Sequence, residues 1–336
     1  MKLRNLGMDL VGATEGAAVS AGRWMGFGHR EEPDQSAIEA MHSVLSDLDI
    51  NGYIIVGEEK DEARHHGKDV SADEPYIQSG LDSGQSVGTG QGPELDIVLD
   101  AIDGRNLLAL GHSDAISVVG AAPRGSMWVP PPEALYMDKI VVNREAAEAL
   151  VSECMDAPAA WTLALVARVK KKEVRDLIVF VLNRPRHRDL VEEIRDAGAR
   201  VLLRSDGDIA GALMASFPES DVDLLMGAGG VAEGLIAACA VKALGGAMLG
   251  RLAPQSDQER TAITEAGLDT KQILTCDDLI DSDQIFFTAT GITDGMLLSG
   301  VHYRGDIAQT ESMVLRTEGD THRIIQAKHM LKENGR

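Results

Sequence analysis

The segment Leu95-Asp-Ile-Val-Leu-Asp-Ala-Ile-Asp-Gly104 runs from an apolar stretch into an acidic turn. Residues 95–102 are predicted to form a strand, and Gly104 permits the tight turn that follows. Asp100 and Asp103 lie three residues apart across this transition, so their carboxylates can converge on one metal ion. The DxxDG pattern alone is weakly specific, and its meaning depends on the other acids in the chain.

Acidic residues follow two other predicted strands in the same way. Glu58 comes after the strand at 53–56, and Asp206 and Asp208 come after the strand at 201–203. In α/β folds, ligands bind at the carboxyl ends of strands, and clustered carboxylate oxygens suit Mg²⁺ or Mn²⁺. The alternative is that these acids occupy turns because of their local hydrogen bonds. For the set as a whole, we favour the metal site.

The overall charge limits the partners. The 336-residue chain has a formal net charge of −21, which argues against nucleic acid or an anionic membrane as a partner. A phosphate ester remains a suitable ligand if local cations bind it. The length predicts about two domains. The sequence has three cysteines without a CxxC pair and no signal-peptide core or membrane helix, so we expect a cytoplasmic protein.

Predicted helices and strands alternate from about residue 145 onward, which favours βαβ units and a largely parallel sheet. Residues 59–93 are polar and are predicted to form a long loop. The predicted helices span residues 14–25, 34–48, 145–151, 161–172, 189–197 and 231–244. The predicted strands span residues 53–56, 95–102, 115–121, 140–142, 177–182, 201–203, 223–226 and 285–289.

Two further segments have the chemistry of anion sites. Asn183-Arg-Pro-Arg-His187 follows a predicted strand, and its arginines can bind phosphate in a bidentate manner. The alternative is an ordinary loop with solvated charges. Met226-Gly-Ala-Gly-Gly-Val-Ala-Glu-Gly234 is a glycine-rich turn that opens a helix, where free backbone N–H groups favour an anion. Glu233 is either a metal ligand or an acid favoured by the helix dipole.

Several short motifs together resemble one family. They are Ala13-Thr14-Glu15, Pro185-Arg186-His187, Asp206-Gly207-Asp208, the GGVAEG run at 229–234 and the TATGIT run at 288–293. Their order and rough spacing, from about residue 12 to residue 330, resemble those of the class II fructose-1,6-bisphosphatases. The resemblance implies the lithium-sensitive sugar-phosphatase fold, an α/β fold with α-β-α-β-α layers and two mixed-sheet domains.

The resemblance also implies how the chain is divided and what it does. Residues 1–144 would form a metal-binding phosphatase domain and residues 145–336 a sugar-phosphate-binding α/β domain, unless the C-terminal strands return to the first. The activity would be hydrolysis of the 1-phosphate of fructose 1,6-bisphosphate, and in some members of sedoheptulose 1,7-bisphosphate, with Mg²⁺ or Mn²⁺. This activity belongs to gluconeogenesis, and we expect a homodimer or homotetramer.

The implied site residues fall into three sets. The metal ligands would be Asp34, Glu58, Asp100, Asp103 and Glu233. The substrate contacts would be Gly104, Tyr136, Arg184, Arg186, Asp206, Asp208 and Gly230. The catalytic set would be Glu58, Asp103 and Arg105.

The chain departs from the family pattern at its activating residues. The family reads Asp-Pro-x-Glu-Gly-Thr, whereas this chain has Ala101, Asp103 and Arg105 at the Pro, Glu and Thr positions. Arginine cannot act as a base at neutral pH, so Arg105 could instead hold a phosphate or compete with a metal ion for the carboxylates. The family's Gly-Glu-Gly-Glu is replaced by GEEK at 57–60, and the long loop adds His65, His66 and Asp69, which are either new ligands or solvated side chains.

Two other functions therefore stay open. One is a phosphatase that acts on another sugar, inositol or nucleotide phosphate. The other is a non-catalytic paralogue that binds a sugar phosphate without turnover.

Overall fold

A computed structural model describes residues 6–58, 79–318 and 321–331. The α-helices are α1 (Leu6–Ala21), α2 (Glu31–Ser46), α3 (Arg105–Leu110), α4 (Ala159–Val169), α5 (Arg188–Asp196), α6 (Asp208–Ser216), α7 (Val231–Ala243), α8 (Asp257–Glu265) and α9 (Cys276–Leu279). Short 3₁₀ helices span Gly22–Trp24, Arg144–Ala149, Ser152–Met155, Val174–Asp176 and Pro185–His187.

The strands are β1 (Asn51–Val56), β2 (Ser86–Val87), β3 (Glu94–Asp103), β4 (Ile116–Pro123), β5 (Tyr136–Val142), β6 (Ile178–Leu182), β7 (Arg200–Arg204), β8 (Leu224–Gly230), β9 (Ala247–Leu252), β10 (Leu274–Thr275), β11 (Phe286–Gly291), β12 (His302–Arg304), β13 (Ile307–Arg316) and β14 (Thr321–Met330). They form one eight-stranded and one six-stranded sheet.

The eight-stranded sheet joins both ends of the sequence. Its order is β12-β13-β11-β4-β3-β1-β2, and β14 also pairs with β13. Strands β1 and β3 are parallel, and the other neighbouring pairs are antiparallel. The C-terminal strands thus lie in the same sheet as β1, while the division into two domains stays a prediction.

The six-stranded sheet corrects the expectation of a largely parallel sheet. Its order is β10-β9-β5-β8-β6-β7. Strand β6 is parallel to β7 and β8, as the alternation predicted, but β5 lies antiparallel between β8 and β9. The helix–strand alternation describes the chain after β5. It does not reveal that β5, which precedes it in sequence, inserts between the two strands that α7 connects.

Helices α6 and α7 lie between the two sheets. The core around them combines Val118 and Phe287 of the eight-stranded sheet with Val141 and Phe180 of the six-stranded sheet. Helix α7 is apolar almost all round and buries nearly every side chain, as a helix inside a protein must. Helices α1 and α2 cover the outer face of the first sheet, and α4 and α5 cover the outer face of the second. The predicted α-β-α-β-α layers are confirmed.

The sequence located most of these elements but not all of them. The predicted strands overlap the observed ones, whereas α1 begins at Leu6 and residues 144–149 form a 3₁₀ helix instead of an α-helix. Helices α3, α6, α8 and α9 were not predicted, nor were β9, β10 and β12 to β14. Residues 59–78 of the predicted loop lie outside the described residues, and Ser86–Val87 of that loop forms a strand. No helix in the described ranges is long and apolar enough to cross a membrane.

A buried histidine holds the loop between β6 and α5 in place. His187 is 4% exposed. Its Nε2 accepts the backbone N–H of Ala228 at 2.8 Å, and its Nδ1 lies 2.7 Å from the carbonyl oxygen of Leu182. Because Nε2 is an acceptor, Nδ1 carries the proton and the ring is neutral. His187 therefore ties the end of β6 to β8 and fixes the loop that carries Arg184 and Arg186.

This contact predicts a pH dependence of stability. Burial lowers the pKa of His187 below its ordinary value of 6.5. The stabilisation is therefore complete above that value and is lost as the pH falls towards the lower folded-state pKa, because the unfolded chain binds a proton that the folded chain excludes. We expect His187 itself to contribute less to the free energy of urea unfolding at about pH 5 than at about pH 7.

The matched variants are His187→Gln, which cannot titrate, and His302→Gln, which alters an exposed histidine. The unfolding free energy at about pH 7 minus that at about pH 5 should be smaller in the first variant than in native protein and unchanged in the second. An unchanged pH difference in His187→Gln would contradict this role.

Candidate active site

Carboxylates from several elements meet between the two sheets, near the carboxyl ends of β1 and β3. Glu58 follows β1, Asp100 and Asp103 end β3, and Glu233 lies in the first turn of α7. The charges of Glu58, Asp103 and Glu233 all act on Asp100, so these four acids are close neighbours. The structure thus brings together acids that are widely separated in sequence.

An irregularity in β3 aims the two acids of the DxxDG motif. The pairing of β3 with β4 shifts its register between Asp100 and Asp103. In a regular strand, residues three apart point to opposite faces, and a bulge re-aims one of them. Asp100 Oδ1 accepts the N–H of Ile102 at 2.9 Å, and Asp103 Oδ2 accepts the N–H of Ala210, near the start of α6, at 2.8 Å. Gly104 follows with a φ of 95°, which glycine adopts without strain.

A nearby positive charge would stabilise the ionised carboxylates of this cluster. Burial, together with the charges of Glu58 and Asp103, raises the pKa of Asp100 well above its usual range. Burial, together with the charges of Asp206 and Asp208, does the same to the pKa of Asp103. A bound cation would relieve this crowding of carboxylates.

Oxygen donors of this kind fit Mg²⁺ or Mn²⁺ in their chemistry. Within the described ranges, however, no three or more acidic, histidine or cysteine side chains are already arranged around a point that a metal ion could fill. The carboxylates of Asp100, Asp103 and Glu233 therefore fit a divalent cation by atom type and charge. Their oxygen atoms do not yet converge on a single point that the ion could fill.

Asp34 and Glu58 pair with an arginine side chain of the protein. Arg105 Nε lies 2.7 Å from Asp34 Oδ1, and Arg105 Nη2 donates to Glu58 Oε2 at 2.9 Å. The other oxygen of Glu58 accepts the N–H of Ala101. Asp34 and Glu58 are thus held by a guanidinium group, and their predicted role as metal ligands stays a prediction.

Two consecutive glycines let acidic side chains cover the backbone of β8. A Cβ atom on Gly230 would lie 1.8 Å from Glu233 Oε2, and one on Gly229 would lie 1.8 Å from Asp208 Oδ2. Both distances are far below van der Waals contact, so any larger residue would displace the carboxylate. The GGVAEG motif is therefore required for the positions of Glu233 and Asp208, which is a steric reason for its glycines.

The basic loop after β6 adjoins the acids, since the charges of Asp208 and Glu233 act on Arg186. Arg186 donates through Nε and Nη2 to the carbonyl oxygen of Ala228, at 3.1 and 2.8 Å, and its guanidinium lies 4.9 Å from the centre of the Tyr136 ring. Arg184 Nη2 lies 3.5 Å from Asp206 Oδ1, and its side chain is 34% exposed. Arg186 thus adjoins Tyr136 and Arg184 adjoins Asp206, and Arg186 is more firmly held than Arg184.

Sequence reasoning missed two residues that hold this part of the site. Lys139 is fully buried in β5 and forms an ion pair with Asp208. Asn106 donates to Asp206 Oδ2 through its backbone N–H at 3.2 Å and its side chain at 3.1 Å. A lysine inside the apolar strand YMDKIVV was the available signal for Lys139, because lysine is almost never fully buried unless it is paired. No pattern marked Asn106.

Other predicted features lie in the buried core or outside the described ranges. Thr290, in the TATGIT motif, donates to the hydroxyl of Thr14 at 2.7 Å, so these two motifs join α1 to β11 in the core. Glu15 accepts hydrogen bonds from Thr310 and Ser312 at 3.3 Å each. Glu59, Lys60, His65, His66 and Asp69, which were considered as sources of altered or additional ligands, lie outside the described residues.

Comparison with known proteins shows the family of this chain. Residues 4–329 match the family described as bacterial fructose-1,6-bisphosphatase, glpX-encoded. The class 2 fructose-1,6-bisphosphatase of Haemophilus influenzae is 35% identical, over 98% of this chain and 97% of the relative. Fructose-1,6-bisphosphatase 1 class 2 of Escherichia coli K12 is 33% identical, over 98% of this chain and 96% of the relative. The chain therefore belongs to the glpX-encoded family of bacterial fructose-1,6-bisphosphatases.

Proposed function

We propose that this chain hydrolyses the 1-phosphate of fructose 1,6-bisphosphate to give the monophosphate and inorganic phosphate. The proposal rests on one observation: a cluster of acidic side chains lies beside a loop that carries arginines. The acidic cluster of Asp100, Asp103 and Glu233 adjoins the loop of Arg184 and Arg186, since the charge of Glu233 acts on Arg186. A bisphosphate has one phosphate for each half, and membership of the family supports this substrate.

Asp100, Asp103 and Glu233 would hold a divalent cation, Mg²⁺ or Mn²⁺, since oxygen donors suit these hard ions. When bound, such a cation supplies charge stabilisation at the reacting phosphate and lowers the pKa of water at the site. The protein's part is to keep these carboxylates in place. The N–H groups of Ile102 and Ala210 do so for Asp100 and Asp103.

Arg184 and Arg186 would bind the phosphate that is not cleaved, through charge-assisted hydrogen bonds. The contacts of Arg186 with Ala228 and Tyr136 fix its position before the substrate arrives, which reduces the entropy lost on binding. Asp206 and Asp208, which are held by Asn106 and Lys139, are proposed to contact the sugar hydroxyls.

Proton transfer falls to the carboxylates. Glu58 and Asp103 can accept a proton, whereas Arg105 stays charged throughout the physiological range. We assign Glu58 and Asp103 to the handling of the attacking water's proton and Arg105 to holding Glu58 in position.

A second candidate function rests on Arg105 itself. Its guanidinium group forms ion pairs with both Asp34 and Glu58. In the family pattern, this sequence position is a threonine. A chain that binds the bisphosphate through its arginines without cleaving it would also satisfy this geometry. Phosphate release separates the two functions.

Substitution of Asp100 by Asn should abolish the proposed hydrolysis. We expect phosphate release from fructose 1,6-bisphosphate by metal-stripped protein to return when Mg²⁺ or Mn²⁺ is added. Asp100→Asn should lower the rate at least about 100-fold, because several kcal/mol of charge stabilisation are lost. Asp221→Asn, at an exposed position, is the control and should keep the native rate. Binding of the bisphosphate without phosphate release, in folded native protein, would establish the second candidate instead.

Substitution of Arg184 by Gln should weaken substrate binding more than the chemical step. Loss of a charge-assisted hydrogen bond to phosphate costs about 1.5–3 kcal/mol, so KM should rise about tenfold or more while kcat changes little. Arg188→Gln, in the first turn of α5, removes a nearby exposed arginine as a matched control. Initial rates over a range of substrate concentrations separate KM from kcat. Equal KM values in native protein and Arg184→Gln would remove Arg184 from the substrate site.

A further inference from the structure

We propose that the Arg105 guanidinium is a built-in cation for the Asp34–Glu58 pair, so that no divalent cation binds between these two carboxylates. Divalent binding is then confined to the side of the site formed by Asp100, Asp103 and Glu233. This inference rests on the proposed function only in treating the acidic cluster as a metal site. It does not depend on which phosphate ester the protein cleaves.

The geometry places Arg105 between the two acids. Its Nε lies 2.7 Å from Asp34 Oδ1, and its Nη2 lies 2.9 Å from Glu58 Oε2. The Glu58 side chain is only 3% exposed, while those of Arg105 and Asp34 are 25% and 23% exposed. One guanidinium therefore bridges a buried and a half-buried carboxylate, through two different nitrogen atoms.

The backbone fixes this position of Arg105. Gly104 has a φ of 95°, which turns the chain sharply after β3, and Arg105 is the first residue of α3. The N–H of Leu108 donates to the carbonyl oxygen of Gly104 at 3.0 Å and closes the first turn of that helix. Arg105 thus reaches the two acids from a short helix that is anchored directly behind the DxxDG motif.

A divalent cation would have to displace this arginine. Glu58 already uses one oxygen for Arg105 and the other for the N–H of Ala101. Arginine keeps its charge at every physiological pH, so Arg105 competes with a divalent cation for these carboxylates throughout that range. A cation bound to Asp34 and Glu58 would leave a guanidinium beside it in a partly buried site, where repulsion between like charges is stronger than in water.

The arrangement changes what the site needs from solution. The pair of Asp34 and Glu58 is partly neutralised by a charge that folds with the chain and cannot dissociate. The charge of Arg105 also lowers the pKa of Asp100, but burial and the charges of Glu58 and Asp103 outweigh it. Burial with the charges of Asp206 and Asp208 likewise raises the pKa of Asp103. A divalent cation is therefore required beside Asp100 and Asp103, whereas Arg105 supplies the positive charge beside Asp34 and Glu58.

The test is to count bound Mn²⁺ in metal-stripped, full-length protein without substrate. Electron paramagnetic resonance of free Mn²⁺ during a titration gives the number bound per chain. Arg105→Gln should bind one Mn²⁺ more per chain than native protein, because Asp34 and Glu58 become available. Arg105→Lys is the matched control, since it keeps the positive charge and should show no such gain.

Two further variants assign the gained ion and guard against misfolding. The double variant Glu58→Gln with Arg105→Gln should lose the additional Mn²⁺, and circular dichroism checks that each protein is folded. In the native background, Asp34→Asn should leave the number of bound Mn²⁺ unchanged, because Asp34 is not a metal ligand while Arg105 is present. This measurement does not require any change at Arg105.

Two results would overturn the inference: an unchanged Mn²⁺ count in folded Arg105→Gln, or the loss of one Mn²⁺ in folded Asp34→Asn. Both measurements are made without substrate, so they are independent of phosphate release. Failure of the native protein to cleave fructose 1,6-bisphosphate would remove the proposed function and leave the cation count unaffected.

Discussion

Several buried carboxylates can share one site only if each finds a positive partner or an N–H donor. Desolvation penalises each charge, and the neighbouring acids add repulsion, so the cluster at the end of β3 is unstable by itself. The structure compensates in three ways. The backbone N–H groups of Ile102 and Ala210 donate to Asp100 and Asp103, respectively. Lys139 forms an ion pair with Asp208. Arg105 forms ion pairs with Asp34 and Glu58. The remaining deficit, around Asp100 and Asp103, is what a divalent cation would satisfy.

This constraint explains features of the fold that packing alone does not require. The register shift in β3 aims Asp100 and Asp103 into one site, and the glycines at 229 and 230 leave room for two carboxylates. Helices α6 and α7 begin beside the acids, so their N-terminal N–H groups face negative charge, as the helix dipole favours. The layer between the two sheets therefore positions the site as well as filling the core.

The sequence indicated which acids lie close together better than it indicated their contacts. Acids after strands indicated where Glu58, Asp100 and Asp103 would meet, because the carboxyl ends of strands are the usual place for ligands. The antiparallel insertion of β5 could not be predicted, since a strand's neighbours depend on pairing between segments far apart in the chain. For the same reason, the sequence showed Arg105 as a replaced threonine but not its two ion pairs. Lys139 could be predicted in principle, because a lysine within an apolar strand is buried only when it is paired.

Family membership and local structure thus carry different information about this chain. The relatives indicate the substrate class, while the ion pairs of Arg105 come from the structure of this chain. The most direct test of the account is a crystal structure of the Mn²⁺-soaked protein with anomalous scattering. The account predicts an anomalous peak beside Asp100, Asp103 and Glu233, with Arg105 still bonded to Asp34 and Glu58. A peak between Asp34 and Glu58, with the guanidinium displaced, would contradict it.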